Sequence, residues 1–296
     1  MPTTRRSDLV IPELLTDAVR GAFVGAKALY GSSVATVHMG LPAGRGAGDV
    51  VTIPYFNTLG DAEDLLEGEA LTPEGLTSTK ETAEVIHTGK SFAITKWAEW
   101  AAWGDPYKEA ARQLKEVFVR RWDKALIDVA SNNVPSAYVL DLSAATDKTL
   151  SYENMLLARQ KWGDEQEDIA LAVMHSDMYF DILKKKDADG RPLVSTFAAG
   201  PDGARMMYWG GALIRFSDKC KKTLTTGTTY EYETYLLKEK SLVIWANGDI
   251  TNYEAIDELA DARIIASHHY FAAHRYLRAP GSTKSPVVKV INRITF

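Results

Sequence analysis

The stretch DVVTIPYFNTLGDAEDLLEGEALTPEGLTSTKETAEVIHTGKSFAIT, residues 49–95, decides how this chain is read. Its two ends carry strand signals. Val50, Val51, Ile53 and Tyr55 open it, and Phe92 and Ile94 share one parity over 91–95. Between the ends lie more than thirty residues with few large apolar side chains. Asp61, Glu63, Asp64, Glu67, Glu69 and Glu74 precede the first lysine, Lys80. A structureless loop of that length is uncommon inside a compact domain. It buries too little apolar surface to offset the entropy of ordering it. The expectation is a two-stranded excursion whose acidic part, residues 56–81, becomes ordered against a basic partner.

On its N-terminal side, Leu15, Ala18, Val19, Ala22, Phe23, Ala26 and Leu29 recur at helical steps. A joint follows in which Gly40, Gly44, Gly46 and Gly48 allow backbone angles other residues avoid. On its C-terminal side, Asp105 and Pro106 suit a helix start. Ala110, Ala111, Leu114, Val117, Phe118, Trp122, Ala125, Leu126 and Val129 make one apolar stripe, with no glycine or proline over 107–130. This predicts one long helix with Arg112, Lys115, Arg120, Arg121 and Lys124 on its polar faces. Residues 149–250 alternate helix and strand signals, with helix caps expected at Ser151 and Ser176. Residues 262–278 read as a strand, and Val287–Phe296 as the last one.

Composition narrows the function. The 296 residues are 46% hydrophobic and 25% charged, ordinary for a folded protein. Thirty-four basic against 39 acidic residues leave a net charge of -5, which argues against a dedicated nucleic-acid binder. The single cysteine, Cys220, forms neither an internal disulfide nor a CxxC site, so a reducing compartment is the default expectation. No run of about 18 apolar residues exists to cross a membrane as a helix. Charges at Asp8, Glu13, Asp17 and Arg20 interrupt any secretory signal. A soluble, intracellular protein is expected.

Catalytic and metal motifs are mostly absent. His268, His269 and His274 look like a metal cluster, but their spacing places no two on one helical face, and on a strand His268 and His274 stand ~20 Å apart. Gly89-Lys90-Ser91 resembles the end of a phosphate loop, yet Glu84 stands where a glycine is required; a turn into a strand is expected there. Gly44–Gly48 precedes a strand and fails the dinucleotide pattern. Asp187-Ala188-Asp189-Gly190 starts like a calcium loop, without the glutamate at its twelfth position. Lysines 219, 221 and 222 beside Cys220 could lower its pKa, with no positioned histidine to complete a catalytic pair. Trp97, Trp100 and Trp103 are expected to pack at the base of the long helix. No cofactor is expected.

The order of these pieces, and four local stretches, carry a resemblance. The stretches are Val51-Thr52-Ile53-Pro54-Tyr55-Phe56 with Gly60-Asp61-Ala62-Glu63; Trp97 to Tyr107; Val173 to Phe180; and Trp209-Gly210-Gly211-Ala212-Leu213-Ile214. Together they resemble the major capsid proteins of tailed bacteriophages, with the Hong Kong-type capsid fold. The resemblance implies an α+β fold divided as an N-terminal arm (1–48), an extended β-hairpin loop (49–96), a peripheral domain with the spine helix (97–148), a mainly axial domain (149–250) and return strands of the peripheral domain (251–296). It implies no enzyme but a virion shell protein that self-assembles as hexamers and pentamers around double-stranded DNA in the host cytoplasm. Its partners would be other copies of itself, a separate scaffolding protein and a portal; no membrane is involved.

On that footing the acidic excursion, with Asp61, Glu63, Asp64, Glu67 and Glu69, is expected to lie over a neighbouring subunit. It would meet Arg112, Arg120, Arg121 and Lys124 of the long helix, or Arg5, Arg6 and Arg20 of the arm. Single surface pairs contribute only about 0–1 kcal/mol, but a shell repeats them. The net negative charge suits a container that must release its DNA. Nothing marks Lys80, Lys90 or Asn292 for the lysine–asparagine crosslink that some members make. The rivals are an encapsulin-like nanocompartment shell and a soluble hydrolase using His268, His269 and His274.

Overall fold

The computed structural model describes residues 29–295, apart from 41–49, 57, 58, 60, 61, 63, 65–70, 72, 102–105, 165–168, 186–194, 198–205, 210, 249, 259, 260 and 277–284. The helix expected in the arm, glycines 44, 46 and 48, Trp103 and the Asp187–Gly190 turn lie outside these residues.

The acidic stretch is framed by two strands, β2 (Val50–Phe56) and β3 (Ser78–Thr95). They pair antiparallel from Val50 opposite Glu84 to Phe56 opposite Ser78. β3 thus begins at Ser78 rather than Ser91. Among the described strands residues 78–84 pair with β2 alone, and of their described side chains only Ala83 is buried, so backbone pairing rather than an apolar face makes most of this stretch a strand. Gly89-Lys90-Ser91 accordingly lies inside β3, not at a turn. Beyond Glu84 the same strand enters the body and pairs with β13 (Ala262–Arg275), from Val85 opposite Ala272 to Thr95 opposite Ala262.

β13 is the hub of a six-stranded sheet. β1 (Ala35–Met39) pairs parallel with β11 (Leu242–Ala246), which pairs with one end of β13, while β12 (Thr251–Asp257) pairs with the other end. The spatial order is β1-β11-β13-β3-β2. Apolar and aromatic residues of both parities in β13 reflect two occupied faces. Ile265, His269 and Phe271 face the long helix, while Tyr270, Ala272 and His274 face away.

A short helix α1 (Lys96–Ala101) precedes the long helix α2 (Pro106–Ser131), whose 26 residues span ~39 Å. The predicted stripe is the buried one. Leu114 and Phe118 pack on Ile250 and Ile265 of the first sheet region. Trp122, Ala125, Leu126 and Ala130 reach Ile244 and Phe271 of that sheet and Leu171, Val173, Tyr235 and Leu237 of a second one. The helix therefore joins the two sheets through a shared core.

The second sheet has eight strands in the order β4 (Val139–Asp141), β14 (Val287–Thr295), β10 (Thr229–Lys238), β5 (Ile169–Met174), β8 (Ala212–Phe216), β7 (Met206–Trp209) and β6 (Ser195–Phe197), with β9 (Lys222–Thr226) beside β10. Alternation along β10 divides its faces. Tyr235 and Leu237 point to α2, while Tyr232 and Leu236 join a core with α3 (Tyr152–Gln160) and α4 (Ser176–Lys184). Ser151 caps α3 as expected, its hydroxyl accepting from the Asn154 amide at 3.3 Å. At α4 the cap is His175, not Ser176. The His175 Nδ1 accepts from the Asp177 amide at 3.2 Å, and the Ser176 hydroxyl is turned to the Asp218 carboxylate.

Two buried carboxylates tie these layers together. Asp123 of α2 accepts from the Leu29 amide and from Lys219 Nζ, both at 2.9 Å, fixing the chain at Leu29 against the long helix. Glu233 of β10 accepts from Ser131 Oγ at 2.7 Å, Tyr235 Oη at 2.9 Å and Lys221 Nζ at 2.9 Å. Burial alone would raise the Glu233 pKa, but the bonds from Ser131, Lys221 and Tyr235 outweigh it and hold the carboxyl below its usual range. A depressed folded pKa adds stability that is present above the unfolded value and lost as pH falls through the folded one. Glu233→Gln is therefore expected to cost about 1–3 kcal/mol at pH 7 in urea unfolding. The gap from the parent should begin to narrow as pH falls below the ordinary glutamate range, about 4.3, and should close only below the depressed folded pKa, where both carry a neutral group; a gap independent of pH would show that the charge is not what stabilises.

Candidate assembly surfaces

The root of the β2–β3 ribbon is held by a small core of Val51, Ala83 and Ala272, with Ile53, Val85 and Trp245 packed on it. Beside it a groove of about 550 Å³ separates the ribbon base from α2, lined among others by Glu81, Glu84, Arg121, Asp128, His274 and Arg275. Arg275 closes one end by donating to the carbonyls of Asn132 at 3.4 Å and Asn133 at 2.6 Å. Arg121 lies over the Phe271 ring, 5.8 Å from its centroid. Glu81 Oε2 is 3.6 Å from His274 Nε2. Burial pushes the His274 pKa down to about 4, helped by His38, so the imidazole is uncharged at neutral pH. The groove thus mixes both charge signs where the ribbon leaves the body.

Of the acidic residues singled out in the ribbon, Asp64 is exposed, and Asp61, Glu63, Glu67 and Glu69 lie outside the described residues, as do Arg5, Arg6 and Arg20. On α2 the four basic positions have different surroundings. Arg112 is clasped within the helix by Glu109 at 2.6 Å and Glu116 at 2.7 Å. Hydrogen bonds from Arg112 and Gln113 hold the Glu109 carboxyl down at about 2. Arg120 is exposed and donates to the Glu116 carbonyl at 3.2 Å; Lys124 is exposed; Arg121 lines the groove.

Trp97 and Trp100 depart from expectation. They are 74% and 78% exposed, with ring centroids 5.3 Å apart. Their i,i+3 spacing puts them on one side of α1, as read. That side does not meet the long helix, because α1 is fastened to Asp261 at the end of the sheet. The Lys96 amide donates to the Asp261 carbonyl at 3.0 Å, and its Nζ pairs with the carboxylate at 2.9 Å. Further exposed apolar side chains are Leu156 and Leu157 of α3, Phe180 of α4 and Phe216 at the end of β8. No sequence signal separated these residues from core positions, since periodicity marks an apolar face without saying what covers it.

Enzymatic candidates are dispersed. His269 lies beneath α2 against Trp122, 5.1 Å between ring centroids, whereas His268 faces the opposite side of β13. Among the described residues no three histidine, cysteine or acidic side chains converge on a metal position. Cys220 is buried, and burial together with Asp123, Asp218 and Glu233 pushes its thiol up to about 12, so the neighbouring lysines do not activate it. Asn292 is 0% exposed, its amide at Met178 Sδ, and is not presented to a lysine of another chain.

This architecture is that of phage capsids. The capsid of Ralstonia phage GP4 superposes with a TM-score of 0.67 at 13% identity, covering 92% of each chain. A solved structure from Mycobacterium phage Cain has a TM-score of 0.60 at 14% identity, covering 98% of each chain. The capsid of an empty gene-transfer-agent (GTA) particle has a TM-score of 0.62 at 11% identity, covering 99% of this chain and 92% of that one. Such likeness establishes the fold, the α+β Hong Kong-type capsid fold. In sequence, the major capsid protein of Staphylococcus phage phiMR11 is 33% identical over 110 residues, 37% of this chain. The matched stretch spans 39% of that relative, about two fifths of its length. No family model matches the chain.

Proposed function

We propose that this chain is a phage major capsid protein whose copies close into an icosahedral shell around double-stranded DNA. The observation that carries the reading is agreement of fold over 92% of both chains with a phage capsid, joined by 33% identity to a named major capsid protein over part of its length. The role is structural rather than enzymatic. The separated histidines and the unactivated Cys220 leave the hydrolase reading without support, and the named relative is a phage protein rather than a compartment shell.

On this reading residues 1–48 are the arm, 49–96 the extended loop, 97–148 and 251–296 the peripheral domain and 149–250 mainly the axial domain. The acidic ribbon of one copy meets the basic side of α2 in the next. Arg120 and Lys124 are the better placed cations, since Arg112 already has Glu109 and Glu116. Scaffolding and portal proteins would act during assembly in the host cytoplasm, and DNA would be enclosed without sequence-specific contacts. The test is direct: purified protein in negative-stain microscopy is expected to form closed particles tens of nanometres wide, alone or with its scaffold. A stable monomer under both conditions refutes the reading.

A further inference from the structure

Two histidines that are remote in sequence meet on the face of the six-stranded sheet turned away from α2. His87 of β3 and His268 of β13 bring Nε2 and Nδ1 to 3.1 Å. The juxtaposition follows from the strand register, in which Gly89 is opposite His268 and Tyr270 is opposite His87. The space for it depends on Gly89. A Cβ there would stand 2.9 Å from His268 Nδ1, too close for the ring to keep its place. Tyrosines wall both imidazoles. His87 stacks on Tyr270, with centroids 4.4 Å apart and planes at 10°, and Tyr253 meets the His268 ring edge-on at 5.8 Å.

We propose that His87 and His268 form a two-histidine site for a borderline divalent transition ion, of the Zn²⁺, Ni²⁺ or Cu²⁺ class. Imidazole nitrogens bind such ions at about 2.1 Å, and two cis ligands at that length, ~95° apart, stand ~3.1 Å from each other. The observed separation is thus the bite of a chelate, reached by tilting both rings toward solvent. The 3.1 Å contact is a hydrogen bond in which one ring's N–H meets the other's lone pair, the tautomer deciding which ring donates. Moving that proton to the donor ring's second nitrogen frees both facing lone pairs without loss of a proton. Water fills the remaining positions, since among the described residues no third histidine, cysteine or carboxylate converges there. Nitrogen donors select against Mg²⁺ and Ca²⁺, which prefer oxygen. The tyrosine walls restrict the rotamers open to both rings, so the tilt toward solvent is the main adjustment binding requires. The inference does not depend on shell formation.

The untagged chain should bind one Ni²⁺ per subunit in isothermal titration and be retained on an immobilised Ni²⁺ column. His87→Ala and His268→Ala should each weaken binding about tenfold or more, with circular dichroism unchanged. Gly89→Ala should weaken it with both imidazoles still present, because the new methyl displaces His268. His38→Ala, a change on the same sheet at a ring stacked on Trp245, should bind as the parent does. Absence of Ni²⁺ binding by the parent, equal binding by the His87 and His268 variants, or displacement of Ni²⁺ by excess Mg²⁺ would each overturn the proposal.

Discussion

Replacing Trp122 by alanine is expected to lower the urea midpoint of unfolding sharply, so that the variant is unfolded at urea concentrations where the parent is still folded. The side chain has no exposed surface and stands where three parts of the chain meet. Tyr30 reaches it from the segment before β1 at 5.3 Å, and His269 and Phe271 from β13 at 5.1 and 6.0 Å between ring centroids. It is also part of the core that joins both sheets to α2. Emptying such a site costs about 3–5 kcal/mol, lost transfer energy and cavity together. Domains are stable by only about 5–15 kcal/mol, so this is a large share. Urea unfolding followed by circular dichroism measures it, and Trp122→Phe, which keeps most of the volume, should lose clearly less. A cost under about 1 kcal/mol would mean that the core collapses around the gap and that α2 is not the joint between the sheets.

The second large effect concerns assembly rather than folding. Changing Asp61, Glu63, Asp64, Glu67 and Glu69 together to their amides should abolish or strongly reduce closed particles while leaving the unfolding midpoint of the subunit nearly unchanged. Each charge contributes little alone, about 0–1 kcal/mol for an exposed pair. On the proposed pairing, five charges per subunit repeated over every contact of a shell would sum to a decisive contribution. Salt should mimic the variant, because exposed pairs are screened within ~8 Å at physiological ionic strength. Particle yield by sedimentation, alongside a urea melt of the subunit, separates the two effects. Particles of normal yield and salt resistance would dismiss the pairing of ribbon and helix.

Much of the fold was legible because its main elements announce themselves locally. The stripe from Leu114 to Leu126 marks a helix with one buried side, and that side is buried. Val287–Phe296 reads as a strand because it is a β-branched run, and residues 287–295 pair in the eight-stranded sheet. The start of β3 was not legible. A strand held only by backbone pairing on a two-stranded ribbon needs no apolar face, so hydropathy is silent there. The tryptophan pair on α1 misled for the converse reason. Its spacing is that of a buried face, but the six-residue helix is fastened at Asp261, and among the described residues nothing covers its two tryptophans.

The chain's local chemistry thus determined which segments are helix and strand, that an acidic ribbon precedes one long helix, and that motifs for catalysis are mostly lacking. These depend on side chains a few residues apart, whose periodicity and charge are written in order. Only the tertiary structure decided what meets across long separations. It placed Asp123 at the Leu29 amide, Arg275 at the end of α2, and His87 beside His268. Such contacts depend on strand register, and a slip of one residue would turn each side chain to the opposite face. Register is set by the packing of the whole sheet against α2, which no local stretch of the sequence contains.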